Sequence, residues 1–469
     1  MGLRFFFPAG DNSQIDQRLE FGGKRFAPNP SYQLDRGRFE NYLALQCRQI
    51  GVQLIDDAEV KDVALGRFGR SHAVTYQQAQ QQQTIRTRWV VDATGRRAIL
   101  KRQLRLEKPS PHVGNAAWFR IDRHIKIDHW SDDPAWRAGH HGATERFYST
   151  NHLMGPGYWV WLIPLASGSI SVGIVASPEY HSLADFNTLE KAVQWLEKHE
   201  PQCAAAVKEN LDGVQDFLAI KQYPLECKQV FSARRWGIVG EAGFFLDPFY
   251  SPGSDFIAFA NSFLTDLIRR DLTGKEFRIR AFAYDRIYKR FHYGTAVAYQ
   301  DQYGLFGNPQ VMPVKILWDY LVYWSITAFI YMQGQMCRQT MYLQNLPQLT
   351  RLGKLNHYMQ DFFRKWHDQT REVNVSGIAN VSDMAIVREW NARLNEPMSN
   401  RQFLKQFAAN VEQLTHSARE IVEFADIGEE FPFPQTREAG VQSGVFDRAL
   451  MPTERPLPEA SADVEAIEE

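Results

Sequence analysis

The sequence predicts an α/β fold with an inserted antiparallel sheet and a helical region after it. Three observations carry this. Two apolar runs end in small-residue turns: Trp89-Val90-Val91-Asp92-Ala93-Thr94-Gly95 and Trp236-Gly237-Ile238-Val239-Gly240-Glu241-Ala242-Gly243. That is the pattern of buried strands leaving a core. Between them, from about Asn115, apolar and polar residues alternate as in a half-buried sheet. After Asn261, apolar residues recur at helical spacing. The resulting division is 1–112 and 236–275 for the two parts of the α/β lobe, with 113–235 as the inserted sheet. A helical region, 276–428, and a disordered tail, 429–469, complete it.

In chain order, Leu3 to Phe7 enters at once as a strand and Gly22-Gly23 turns it. A helix with Phe39, Tyr42, Leu43 and Cys47 on one face ends at Gly51. Val52 to Leu65 reads as a strand pair, and Gln77 to Gln83 as a solvated hairpin tip. In the inserted sheet, Phe119, Ile121, Ile125 and Ile127 face one way, with Arg120, Asp122, His124 and Lys126 opposite. Glu145 to Thr150, Tyr158 to Pro164 and Ser169 to Val175 continue as strands, and another lies near Phe217 to Tyr223. Leu183 to Glu200 is helical and stops before Pro201. Phe263 to Leu272, Phe277 to Gln302, Val314 to Gln335 and Phe403 to Phe424 are the later helices. Pro452 to Glu469 is Pro-rich and acidic, the composition of a disordered tail.

Composition narrows the function classes. A formal net charge of -1 gives no global field for nucleic acid. Cys47, Cys203, Cys227 and Cys337 form no CxxC and are too few to staple 469 residues, which fits a reduced cytoplasmic setting. His140-His141 reads as a solvated loop rather than a metal site. Ile316 to Met332 is apolar but short for a span and broken by Asp319, so a buried helix is favoured over peripheral membrane contact. The 12 Trp and 13% aromatic content suit either a ring-lined pocket or an aromatic core.

Chemistry concentrates between Trp236 and Asn261. Gly240-Glu241-Ala242-Gly243 is a turn with one carboxylate, and Asp247-Pro248 and Ser251-Pro252-Gly253 break the backbone again. Ser254-Asp255 ahead of Phe256, Ile257, Phe259 and Ala260 reads as a capped helix start. Strand, turn and helix N-terminus suit an anion or nucleotide, or a plain packed connection. Upstream, Trp159, Trp161 and Ile163 share one strand face, as an apolar wall or a core stripe.

These residues resemble the FAD-dependent monooxygenase and halogenase superfamily. Gly240, Glu241, Ala242, Asp247, Pro248, Ser251 and Gly253 match its second flavin motif, with Glu241 where Asp is usual. Asp92-Ala93-Thr94-Gly95 resembles its Ala-Thr-Gly element, and Tyr32 to Leu43 its segment with an Arg, here Arg36. Trp159-Val160-Trp161-Leu162-Ile163-Pro164 matches the WxWxIP signature of flavin-dependent halogenases, and Phe245-x-x-Pro248-x-x-Ser251-x-Gly253 is similar to a second halogenase pattern.

The resemblance implies a glutathione-reductase-like FAD/NAD(P)-binding lobe. It assigns FAD contacts to Arg36, Asp92, Thr94, Gly95, Gly240, Glu241, Ala242, Asp247, Pro248, Gly253 and Ser254. It assigns catalysis to Trp159, Trp161 and Ser251, with the two tryptophans lining the passage between flavin and substrate. FAD reduced by a separate flavin reductase, with O2, gives a flavin hydroperoxide that halide attacks. The hypohalous acid then halogenates an aromatic, phenolic or pyrrolic ring, free or on an acyl or peptidyl carrier protein. Ser251 to Ser254 supply halide donors and Asp255 opposes them. A flavin hydroxylase or dehydrogenase, or a non-catalytic remnant, are the alternatives. No GxGxxG occurs, so the resemblance also implies a fragment lacking that ~30-residue unit and the lysine ahead of Met1, without tight FAD binding or halogenation of its own.

Overall fold

The computed structural model describes residues 2–67, 69–139, 145–370 and 375–434. Its largest sheet has eight strands in the order Val214–Ile220, Asn115–Ile121, Ile170–Ala176, Tyr158–Pro164, Thr150–Gly155, Leu3–Phe6, Leu19–Gly22 and Gly377–Asn380. The alternating stretches pair antiparallel, as their pattern predicts. Two pairs are parallel, Leu3–Phe6 with Thr150–Gly155 and Gly377–Asn380 with Leu19–Gly22, so the sheet is mixed.

This redraws the sequence-based division. Residues 1–112 do not form one lobe, because their first two strands extend the sheet of 113–235. The apolar run Phe5-Phe6-Phe7 is fully buried there. The region 276–428 also supplies an edge strand. His140 and His141, and the stretch 435–469, lie outside the described residues.

The sheet separates two cores. Tyr158, Val160, Leu162, Val172 and Ile174 pack with Trp195, Leu196 and Val207 of the helices Leu189–His199 and Pro201–Lys208. On the other face, Trp159, Met154 and Val175 join the main core with Phe249, Phe256 and the later helices. Strand alternation sends neighbouring residues to opposite cores. Trp161 pairs across from Gly173, where any Cβ would collide with the indole.

A second sheet places Trp236–Ile238 between Phe231–Ser232 and Val90–Asp92, parallel to the latter. A third is the meander Ala58–Ala64, His72–Gln78 and Gln81–Thr87, so Val52 to Leu65 yields one strand rather than a pair. Its glutamine hairpin turns at Ala79-Gln80, both left-handed. Glu145 to Thr150 opens with a helical turn, Arg146–Tyr148, because Arg146 folds inward onto Glu20 at 2.8 Å.

The helix Arg36–Gln49 buries none of its residues; Phe39, Tyr42 and Leu43 are exposed. The apolar stretch at Ile316 is the helix Val311–Val322, followed by a wide π-type turn, Tyr323–Ala328, before Phe329–Met332. Its Asp319 pairs at 2.6 Å with the fully buried Lys315, which explains an acid in that run. Among the described residues, no helix is long and apolar enough to cross a membrane.

Candidate active site

The two strand-to-turn units lie side by side. Val90–Asp92 and Trp236–Ile238 run parallel, so the turns Gly95–Arg97 and Gly240–Ala242 leave the same edge. Open α/β sheets bind ligands at that carboxyl edge. Gly95 (φ 56°) and Gly240 (φ 57°) are both left-handed, a conformation glycine adopts without a Cβ penalty. Buried Lys101 donates to the Gly243 carbonyl at 3.1 Å and ties the turns together; burial lowers its pKa.

Asp92 is buried and committed. One oxygen accepts from the Thr94 amide (3.0 Å) and hydroxyl (2.6 Å), the other from the Leu100 amide (2.7 Å). It shapes the turn from inside, leaving exposed Thr94 and half-buried Gly95 at the edge. Glu241 is half-buried and has no hydrogen-bond or ion-pair partner among the described residues. The turn at Gly240 sits near Ile257 on the helix Gly253–Leu272, bringing a third motif to the same place.

That helix begins differently from the capped start its sequence suggests. Pro252 precedes it without a side-chain cap, so the first amides of Gly253, Ser254 and Asp255 are open for an anion. Asp255 stands in this first turn. Burial pushes its carboxyl up to about 6, against a hydrogen bond from Tyr323 that lowers it.

The loop before the helix is held from beneath. Asp247 is fully buried, and its Oδ2 lies 2.9 Å from His112 Nε2 and accepts from Tyr223 and Tyr303, each at 2.5 Å. Its Oδ1 accepts the Phe249 amide at 2.9 Å. Burial would raise this carboxyl, but the His112, Tyr223 and Tyr303 hydrogen bonds bring it below its ordinary value. Asp247 thus has donors from within the chain on both of its oxygens. Trp159 donates its indole N–H to Tyr303 at 3.2 Å and packs edge-on against Phe249, centroids 5.4 Å apart.

Phe249 therefore roofs Trp159, and neither Trp159 nor Trp161 lines the open cleft described next. Trp161 is half-buried and donates to Ser171 Oγ at 3.0 Å. Arg36 makes a local contact on its own helix. Its exposed guanidinium pairs with Glu40 at 2.7 Å, and the preceding Asp35 caps the helix by accepting from the Arg38 amide.

Ser251 is exposed and left-handed (φ 56°), and its amide N–H donates a hydrogen bond to the Pro248 carbonyl at 2.8 Å. With Tyr250, Pro252 and Asp255 it walls a cleft of about 1750 Å³. Phe256, Phe259, Tyr299, Tyr320 and Trp324 give the cleft aromatic sides. Ser254 is exposed and Pro248 half-buried. His112, Tyr223 and Tyr303 were not legible in the sequence as partners of Asp247. The one available signal was a carboxylate in an apolar run, which needs donors once buried. Among the described residues no His, Cys, Asp and Glu cluster could hold a metal ion.

Comparison with known proteins gives a concordant picture. The tryptophan halogenase family model matches residues 14–290. A flavin-dependent halogenase of Dictyostelium discoideum, chlA, is 28% identical over 263 residues, covering 53% of this chain and 42% of that protein. A 1H-pyrrole-2-carbonyl-[peptidyl-carrier protein] chlorinase of Pseudomonas fluorescens is 25% identical over 224 residues, covering 48% and 47%. Among solved structures, halogenase PltM in complex with phloroglucinol and FAD superposes with a TM-score of 0.59 at 12% identity. That match covers 87% of this chain and 79% of the other, and shows a shared fold. The chain spans about half the length of the curated relatives it matches. With more than half of its residues matched by the family model, the chain belongs to the tryptophan halogenase family.

Proposed function

We propose that the chain serves an FAD-dependent halogenation of an electron-rich aromatic, phenolic or pyrrolic ring, free or borne on a carrier protein. The observation that carries this is the uncapped helix start at Gly253, which presents amides beside an aromatic cleft and two glycine turns. FAD fits the edge at those turns. Gly95 and Gly240 let a ligand approach the backbone closely, and Glu241 is an unused acceptor for sugar-like hydroxyls. Thr94, Ala242 and Ser254 flank the same edge.

Bound and reduced by a separate flavin reductase, FAD supplies the electrons that activate O2. The chain's own residues do the rest. The amides of Gly253 to Asp255 hold a halide, the Asp247 network fixes the strained Ser251 loop, and the cleft's rings stack the substrate. A cytoplasmic setting fits the four unpaired cysteines. A flavin hydroxylase is the second reading, favoured by one feature: ionised Asp255 competes with halide at the helix start.

The test is product mass from the chain with FAD, a flavin reductase, O2 and either phloroglucinol or a pyrrole-2-carbonyl carrier protein. Bromide-dependent bromine incorporation is expected. Oxygen incorporation that ignores halide would favour the hydroxylase, and no change of either substrate would sink both readings and leave the non-catalytic remnant.

A further inference from the structure

The mouth of the aromatic cleft carries a surface that ring stacking and halide binding leave unused. The helix Arg278–Ala296 turns one stripe toward it: Phe282, Arg286, Lys289, Arg290 and Tyr293, three or four residues apart. This helix bears five cations, Arg278, Arg280, Arg286, Lys289 and Arg290, against one carboxylate, Asp285. Asp285 is buried, accepts the Val230 amide at 2.7 Å and pairs with Lys289 at 2.7 Å. Arg286 and Arg290 are exposed, with no carboxylate partner among the described residues. Across the cleft, exposed Lys354 of the helix Leu346–Gln369 adds another cation.

Large apolar side chains stand in water on the same rim. Phe282 is 64% exposed, Leu343 73% and Leu346 55%, and all three line the cleft; Ile279, one turn before, is 72% exposed. Apolar groups clustered among cations that lack carboxylate partners, with Arg286 over the Phe282 ring at 5.4 Å, mark an interaction surface rather than scattered exposure. A free phenol or pyrrole would need the aromatic walls alone. The cleft is also larger than the roughly 300–1000 Å³ of an ordinary small-ligand site.

We propose that this rim docks an acidic carrier domain, which presents the aromatic ring into the cleft on a flexible arm. The proposal rests on the halogenase reading and names its partner. Charge complementarity selects an acidic face, and Phe282, Leu343 and Leu346 select an apolar ridge within it. Arg286 and Arg290 are docking residues and take no part in the chemistry at Ser251.

The experiment measures binding of a fluorescently labelled acidic peptidyl carrier protein, loaded with pyrrole-2-carbonyl, to the full chain. Reversing the rim in Arg286→Glu/Arg290→Glu should weaken binding at least about tenfold and flatten its salt dependence, since rim charges act through long-range attraction. Phe282→Ser should weaken binding without changing the salt dependence. Lys191→Glu/Lys198→Glu, on the far core's helix, matches the charge change and should bind as the unaltered chain does. Thermal melts of all variants exclude misfolding. Equal binding by rim and control variants would overturn the proposal. So would rim-dependent binding to phosphatidylserine vesicles without carrier binding, or occupation of the rim by a second copy. Halide-dependent modification of free phloroglucinol without carrier binding would remove the docking surface and spare the halogenase reading. Carrier binding without any halogenated product would do the reverse.

Discussion

Tyr303 donates to Asp247 at 2.5 Å while accepting the indole N–H of Trp159 at 3.2 Å. This one hydroxyl joins the tryptophan strand to the loop that ends at Ser251. Asp247 also gathers Tyr223, His112 and the Phe249 amide. Replacing it with Ala strands these donors in a dry core, each unsatisfied group costing about 1–3 kcal/mol. Asp247→Ala should therefore lose about 3 kcal/mol or more in urea unfolding. Its lowered carboxyl makes a contribution that is complete above the ordinary carboxylate range and is lost as pH falls through the folded value. Asp247→Asn should flatten that acid limb, and an unchanged limb would assign it elsewhere.

Gly173 exists to admit Trp161. A Cβ at this position would collide with the indole, and the two residues are directly cross-strand. Gly173→Ala should cost about 1–3 kcal/mol through overpacking. Adding Trp161→Phe should recover part of that loss, giving a non-additive double-mutant cycle. Strict additivity in chemical denaturation would mean the ring relaxes freely.

Legibility in the sequence followed the range of the interactions. Alternation located Tyr158–Pro164 and Ile170–Ala176 because a strand's two faces are set by adjacent residues. The strand Leu3–Phe6 was read as a strand, but its sheet was not legible, since its pairing to Thr150–Gly155 spans almost 150 residues. The turns at Gly95 and Gly240 were visible as local small-residue breaks, and they do share an edge. Arg36 matched a pattern, yet its ion pair is local, to Glu40 one turn along the same helix. The partners of Asp247 come from positions 112, 223 and 303, and nothing local in the sequence ties them together.

His292 is buried against Phe244, centroids 4.2 Å apart, with neither ring nitrogen hydrogen-bonded among the described residues. Burial holds it down to about 3, so the folded chain keeps it neutral. Unfolding lets it take a proton below its ordinary range near 6.5. Its effect on stability is thus absent above that range and increasingly adverse as pH falls toward about 3. His292→Leu removes a buried polar group of similar size and should stabilise by about 1 kcal/mol at neutral pH. The gain should grow at pH 5 in matched thermal melts. Destabilisation at both pH values would reveal a partner for the imidazole.

Asp255 should gate anions at the helix start. Its carboxyl is raised by burial to about 6, so it loses its proton across the range where the open amides of Gly253 and Ser254 would hold a halide. Below that value the helix end is positive and unopposed; above it, the carboxylate repels the anion at close range. Bromide should bind more tightly as pH falls from 7 to 5, read by bromide NMR line broadening. Asp255→Asn should bind at the low-pH strength throughout. Tyr323→Phe removes the hydrogen bond that lowers the carboxyl, so the transition should move to higher pH. Stability follows the opposite logic from Asp247. A raised carboxyl favours the fold below the ordinary carboxylate range, and that advantage is lost as pH rises through about 6. Asp255→Asn should therefore melt higher than the unaltered chain at pH 7 and alike at pH 4. Bromide binding that ignores both pH and Asp255→Asn would move the anion site away from Gly253.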